Sequence, residues 1–166
     1  MNADTIEAAQ ADFRRAIAED VAGDAPWRAL QTLTQAIVGA KLFTVTTVDL
    51  DANVARRLYT NMPDAYPVSG TKPIHVDPWF ELVVLGHNLF VANTLDEISK
   101  HFPDYELIGS LGCGSCINMP VIVGGKVLGT VNMLDVEHHF TPERVKLVEH
   151  LGLPAVAAFL VFQAKA

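Results

Sequence analysis

The two cysteines are the strongest candidates for covalent chemistry in this chain. Cys113 and Cys116 stand in the segment Cys-Gly-Ser-Cys, and the 166 residues contain no other cysteine. Two intervening residues permit a disulfide between them. Backbone N–H groups around Gly112 and Gly114 are predicted to form an anion-binding nest that stabilises a thiolate. The spacing therefore permits a reversible redox pair.

Two other roles for this pair remain open. In the first role, one or both cysteines are small buried apolar residues at the entrance to a strand. In the second role, they contact a ligand directly. A structural zinc site is disfavoured, because no second cysteine pair or spaced histidine pair supplies the remaining ligands. The prediction for metal is none, and isolated histidines carry no spacing that indicates haem.

Further candidate binding residues are aromatic or carry side-chain amides. Trp79 and Tyr105 are suited to the wall of a pocket, where aromatic side chains are common. Asn118 and Asn132 lie in apolar, strand-like runs, where a buried amide needs a partner from the backbone or a ligand. The predicted ligand contacts are listed together here: Trp79, Tyr105, Cys113, Cys116 and Asn118.

Composition indicates one folded, acidic domain with a sizeable core. Half of the residues are hydrophobic, which excludes overall disorder, and the formal net charge is −7. Without clustered Lys and Arg, binding to nucleic acid or to an anionic membrane surface is disfavoured. The N-terminal stretch has no apolar signal region, and no apolar run of 18 residues occurs. A cytoplasmic location with reduced cysteines is expected.

The elements that must position these residues centre on a β-hairpin. Two β-rich runs, 117–123 and 126–135, flank Gly124-Gly125, which is a strong hairpin signal. A simple two-residue turn places Val121 opposite Leu128 and Ile117 opposite Asn132. Both faces of this hairpin read as largely apolar, so we expect helices on both faces of the sheet.

The rest of the chain alternates helical and strand-like patterns and predicts an α+β fold. Pro154 is expected to kink the last helix, and Thr94 with Glu97 matches a capping box. A proline-rich loop between two of these segments is a candidate functional loop. The expected segments are helices at 3–19, 27–38, 79–85, 94–101, 104–108 and 142–162, strands at 42–48, 54–59 and 89–92, and the loop at 61–78.

The hairpin and its flanks resemble a GAF domain. The match is carried by Pro120, Gly124-Gly125 and Gly129, then by 140–143 and the closing helix, and it extends over about 25–164. It implies a GAF-like α+β domain at 25–166, preceded by an N-terminal helical extension at 1–24. It also implies a central antiparallel sheet with helices on both faces, and a homodimer formed through the terminal helices.

The resemblance implies a small-molecule pocket between the sheet and residues 61–116, and hence a sensor or regulatory role. The cofactor stays unknown. Cyclic-nucleotide-binding members share an Asn-Lys pair and a later Asp-Glu pair, but Met133 follows Asn132 and Thr141 follows Phe140 here. Members that attach bilins covalently often use Cys-His, and neither cysteine precedes a histidine.

Two alternatives to a sensor remain open. The chain is similar in length and organisation to the free methionine-(R)-sulfoxide reductases, stand-alone enzymes of this fold. That resemblance implies a thiol oxidoreductase in which Cys113 attacks and Cys116 closes the disulfide. The cysteine offset differs from the reductase pattern, and the third cysteine is missing. The other alternative is a scaffold with an empty pocket that acts through its terminal helices.

Overall fold

A computed structural model describes residues 2–68 and 70–164. By contact pattern the chain forms two units, of which one comprises residues up to Gly39 and from Glu143 on, and the other spans Ala40–Pro142. The predicted loop at 61–78 includes position 69, and the predicted domain at 25–166 includes positions 165 and 166. These three positions lie outside the described residues.

The first unit is helical. Its helices are α1 (Ala3–Glu19), α2 (Ala25–Ile37), α6 (Pro142–Leu147) and α7 (Gly152–Gln163), with a 3₁₀ segment at Val148–Leu151. The indole of Trp27 is fully buried, and its centroid lies 5.0 Å from the ring of Phe159 and 5.2 Å from that of Phe162. The 3₁₀ segment interrupts the predicted long helix just before Pro154, whose missing N–H cannot complete an α-helical bond.

The second unit is built on a six-stranded antiparallel sheet in the order β3-β2-β1-β6-β5-β4. Short helical segments connect its outer strands, and the segment at Glu81–Leu85 is π-helical. The strands are β1 (Leu42–Asp49), β2 (Val54–Thr60), β3 (Thr71–Pro73), β4 (Phe90–Ala92), β5 (Ser115–Val123) and β6 (Lys126–Asp135). The helices are α3 (Pro78–Phe80), α4 (Leu95–Ser99) and α5 (Tyr105–Ser110). The predicted α+β class is confirmed.

Local sequence signals account for many of these boundaries. The Thr94 side chain accepts from the Glu97 backbone N–H, and Glu97 bonds back to the Thr94 backbone, so the capping box that begins α4 is present. Asp77 is the N-cap of α3, in which Pro78 is the first helical residue, and its side chain accepts from the Phe80 backbone N–H. Gly39 follows α2 with φ +79, which only glycine adopts at little cost.

The hairpin is confirmed, but its predicted register is wrong beyond the turn. Val123 pairs with Lys126, and a β-bulge then shifts the register, so that Val121 faces Gly129 rather than Leu128. Asn118 therefore lies opposite Asn132, where the simple turn placed Ile117. A bulge inserts one extra residue and moves every later side chain to the other face. Both asparagines consequently share one face of the sheet.

The turn itself depends on two left-handed glycines, Gly124 with φ +57 and Gly125 with φ +77. A Cβ at such an angle costs about 1–2 kcal/mol. We expect Gly125→Ala to lower the free energy of unfolding by about 1 kcal/mol, as measured by urea denaturation. Gly70→Ala is the matched control, because no heavy atom lies within 4 Å of its added Cβ and its φ is not left-handed. Equal loss in the two variants would contradict the turn geometry.

Candidate ligand-binding cavity

A cavity of about 310 Å³ lies within the second unit, on the face of the sheet that carries both asparagines. Neutral polar side chains of the three central strands form its floor. These are Thr44 and Thr46 on β1, Thr130 and Asn132 on β6, and Asn118 on β5. Because Thr44 pairs with Asn132 and Thr46 with Thr130, the strand register holds the floor groups in adjacent rows. The volume suits a small metabolite.

A chain of side-chain hydrogen bonds crosses the floor. The indole Nε1 of Trp79 donates to Oδ1 of Asn118 at 2.8 Å, and Nδ2 of Asn118 donates to Oδ1 of Asn132 at 2.9 Å. Nδ2 of Asn132 then donates to the hydroxyl oxygens of Thr44 and Thr46, at 3.1 and 3.2 Å. Both amides are therefore held in one orientation.

The wall opposite this floor is mainly apolar. Trp79 and Phe102 meet edge to face with centroids 6.3 Å apart. Ile98, Pro103 and Ile108 continue this wall, whereas Cys116 and Leu134 line the cavity from the sheet itself, as a pair on β5 and β6. A second, more apolar cavity of about 280 Å³ shares Thr46, Lys72, Trp79 and Phe102 with the first. The two cavities therefore meet at the Trp79–Phe102 pair.

Charged and phenolic groups line another part of the cavity. Arg57 places its guanidinium carbon 3.9 Å from the centroid of the Tyr66 ring. The Tyr66 hydroxyl donates to a carboxylate oxygen of Asp104 at 2.5 Å. Burial, together with this carboxylate, holds the pKa of Tyr66 far above its usual value, so the phenol stays protonated. The bond ties the loop after β2 to the start of α5.

The cavity brings together three of the five predicted ligand contacts. Trp79, Cys116 and Asn118 line it, whereas Tyr105 and Cys113 pack in the adjacent hydrophobic cluster and do not. Their roles toward a ligand stay predictions. The floor threonines and Arg57 are not among the residues predicted from the sequence. The alternating Thr44-x-Thr46 pattern in β1 is a signal for two of the threonines, whereas a β-bulge that no residue pattern predicts decides which face Arg57 is on.

The predicted anion nest beside the cysteines is not available. The backbone N–H of Gly112 donates to Gly109, that of Cys113 to Ile108 and that of Gly114 to Asp135. All three donors are thus already paired with carbonyl oxygens.

Both cysteines are buried, reduced thiols. Burial raises the pKa of Cys116 to about 12, which a hydrogen bond from the Ala92 backbone offsets only in part. Burial also raises the pKa of Cys113, although the nearby Lys41 ammonium acts in the opposite direction. A thiol nucleophile requires a lowered pKa and access. The electrostatics of this segment therefore favour the neutral thiols.

We expect iodoacetamide to alkylate both thiols at pH 8 at least about 100-fold more slowly in the folded protein than in the urea-unfolded chain. The reason is that the reactive thiolate is scarce and shielded from solvent in the fold. Peptide mass mapping over time measures this. The same raised pKa values make stability fall as pH rises from the unfolded thiol value near 9 toward 12, since only the unfolded chain then ionises. Alkylation of the folded protein as fast as that of the unfolded chain would contradict the assignment.

No cluster of three or more His, Cys, Asp and Glu side chains suited to a metal ion occurs within residues 2–68 and 70–164. Nε2 of His139 lies 3.7 Å from a carboxylate oxygen of Asp135, but among the described residues no third His, Cys, Asp or Glu side chain joins this pair. The cavity floor carries amide and hydroxyl groups, which are suited to hydrogen bonding with a ligand.

Comparison with solved structures finds the same architecture in GAF domains of bacterial proteins. The GAF domain of a sensor histidine kinase from Bacillus halodurans superposes with a TM-score of 0.70 at 9% identity, covering 88% of this chain and 99% of that one. The GAF domain of a phosphoenolpyruvate-protein phosphotransferase from Acinetobacter gives 0.69 at 13% identity, covering 97% and 94%. At these identities the likeness shows the fold alone.

The fold is also similar to that of the phycoerythrobilin-bound GAF domain of a cyanobacterial phytochrome, with a TM-score of 0.64 at 12% identity and coverage of 96% and 97%. Comparison with curated protein sequences found no match. The family model for the GAF domain matches residues 28–158, which include all six strands and the cavity. The chain belongs to the GAF domain family.

Proposed function

We propose that this GAF domain is a sensor or regulatory module that binds a small metabolite non-covalently in the cavity above Asn118 and Asn132. The observation that carries the proposal is the cavity of about 310 Å³ with a fixed polar floor and an apolar wall. Such a lining is typical of ligand sites, in which a few polar groups give orientation and apolar surface gives affinity.

The chemistry of the cavity favours binding over catalysis. Its floor residues carry neutral amides and hydroxyls, which do not ionise near neutral pH and are weak nucleophiles without an activating base. Cys116 is the one lining residue of the predicted thiol mechanism, and its raised pKa opposes thiolate formation. Similar folds support a small-molecule role, since the phytochrome relative holds phycoerythrobilin.

Native mass spectrometry of freshly purified protein tests this proposal. We expect a bound small molecule whose mass disappears on denaturation. Thr130→Phe is the control, because its ring projects into the cavity. A ligand retained equally by both proteins would place binding elsewhere, and no ligand in either, together with no binding from a metabolite extract, would favour the scaffold alternative.

The reductase alternative has a separate test. A sulfoxide reductase turns over free methionine sulfoxide with a thiol reductant, and Cys113→Ser abolishes that turnover while Cys116→Ser blocks recycling. We expect no turnover by the wild-type protein. Activity that disappears in Cys113→Ser would replace the sensor proposal.

A homodimer is the second part of the proposal. Leu153 and Leu160 lie seven residues apart on α7, and their side chains are 83% and 44% exposed. This spacing puts both on one helix face, and two copies would bury that face by pairing. Sedimentation analysis should find a dimer that becomes monomeric in the Leu153→Lys/Leu160→Lys variant. A wild-type monomer at micromolar concentration would contradict the pairing.

We also propose a cytoplasmic location. An 18-residue window within the helical stretch Pro142–Gln163 has a mean hydropathy of 1.7, and the stretch passes a length and composition test for a membrane span, which is weak evidence for one. Its part without Asp, Glu, Lys or Arg begins after Glu149 and is about 21 Å long at 1.5 Å per residue. A bilayer core is about 30 Å thick. Cell fractionation that recovers the protein in membranes would contradict this location.

A further inference from the structure

We propose that the ligand carries a carboxylate and that the Arg57 guanidinium binds it. This inference rests on the proposed function, because it names the chemical class of molecule that the same cavity takes.

A β-bulge gives Arg57 its direction. Thr44 pairs with Thr60 and Val45 with Tyr59, but Thr46 pairs with Arg57, so Leu58 is the extra residue. Without the bulge Thr46 would face Leu58, and Arg57 would lie on the opposite side of the sheet. Bulges often redirect a side chain near a functional site. Here the result is that Arg57 lines the cavity, whereas the neighbouring Arg56 is exposed.

Contacts hold the Arg57 side chain in place without neutralising it. Nη1 donates to the carbonyl oxygen of Pro67 at 2.7 Å, and the guanidinium lies over the Tyr66 ring. Neither partner carries a negative charge. Within the described part of the chain, no carboxylate forms an ion pair with Arg57, and its buried Nε–H has no hydrogen-bond partner. The guanidinium is therefore a positioned cation that retains donors for a planar anion.

The surrounding charges also favour an anion. Lys72 lines the same cavity and adds a second cation. Asp104 is the one carboxylate among the described lining residues, and it already accepts a hydrogen bond from the Tyr66 hydroxyl. Cations thus outnumber carboxylates at the wall. Since the chain as a whole is acidic, this local excess of positive charge is a property of the cavity.

The remaining lining sets the size and character of the rest of the molecule. The volume corresponds to about ten waters at roughly 30 Å³ each, which limits the ligand to a small metabolite. The amides and threonines offer hydrogen bonds to one side of it, and Ile98, Phe102 and Ile108 offer an apolar surface to another. A small organic acid with a partly apolar body fits this arrangement.

Matched acids and amides test the inference. The probes are hexanoate with hexanamide and 3-phenylpropionate with 3-phenylpropanamide, measured by ligand-observed NMR at millimolar concentration. We expect at least one acid to bind about tenfold more tightly than its amide, as an ionic hydrogen bond implies. Added salt should reduce this preference, and inorganic phosphate should compete only weakly, because the site is assigned to a carboxylate on an organic body.

Arg57→Gln and Arg56→Gln are a matched pair that changes net charge equally. The preference for the acid should fall to about twofold or less in Arg57→Gln and remain in Arg56→Gln. Arg57→Lys keeps the charge without the planar fork and should lie between them, which keeps the test valid if the glutamine variant unfolds. Amide binding as tight as acid binding, no acid binding at all, or an unchanged preference in both Arg57 variants would overturn the inference.

The inference and the proposed function fail in different ways. A neutral molecule released from wild-type protein, and absent from Thr130→Phe, would overturn the carboxylate assignment and support the binding cavity. The carboxylate assignment and the proposed function fail together only if no molecule of any kind binds in the cavity.

Discussion

Replacing Asn132 with leucine should lower the free energy of unfolding by about 2–3 kcal/mol and abolish ligand binding. The substitution leaves the buried Nδ2 of Asn118 without its acceptor at 2.9 Å, and the oxygens of Thr44 and Thr46 without their donor. An unpaired buried polar group costs about 1–3 kcal/mol, and leucine is close to asparagine in size, so packing alone contributes little. Urea denaturation measures the loss.

A double variant separates the hydrogen-bond chain from simple packing. If the asparagines act as one network, Asn118→Leu/Asn132→Leu should lose less stability than the sum of the single variants, because removing both partners leaves fewer unpaired groups. Strict additivity would show that the two amides act independently. A loss below about 0.5 kcal/mol in Asn132→Leu would contradict the network itself.

Thr130→Phe should reduce affinity for the ligand by at least about 100-fold while changing the free energy of unfolding by only about 1 kcal/mol. Thr130 is buried and lines the cavity, so the larger ring takes space that the ligand needs. Calorimetric titration measures affinity, and circular dichroism follows the fold. Thr130→Leu, which adds less volume, should weaken binding to an intermediate degree.

Thr71→Phe is the matched control for this experiment. Thr71 lies exposed on β3 and outside the cavity lining, so the same substitution there should leave affinity unchanged. An equal loss of affinity in both variants would indicate a general effect of the added ring. Unchanged affinity in Thr130→Phe would remove the cavity as the binding site.

Most of the fold was predictable because its signals are local. The Gly124-Gly125 turn, the capping residue Thr94 and the break near Pro154 each act through neighbouring residues. Strand pairing beyond the turn was not predictable in the same way. A bulge depends on contacts across the sheet, and both faces of the strands around Val121 and Leu128 are largely apolar, so the hydrophobic pattern does not distinguish one register from the other.

The candidate site was predictable only in part for the same reason. Trp79, Cys116 and Asn118 were found by residue type, and the structure brings them to one cavity. Asn132 was recognised as a buried amide, but the simple turn placed it opposite Ile117 and hence on the other face from Asn118, whereas the two asparagines form a pair. Arg57 was indistinguishable from Arg56 in the sequence, since one bulge at Leu58 decides which of the two lines the cavity.

The most direct measurement of the central claim is a titration of isotope-labelled protein, followed by NMR, with a small-molecule extract of its native cells. The account predicts selective shifts of the indole N–H signal of Trp79 and of the side-chain amide signals of Asn118 and Asn132. The fully buried Trp27, in the other unit, should not shift and serves as an internal reference. Signals of Trp79 and both asparagines that stay unchanged, whether or not others move, would contradict ligand binding in this cavity.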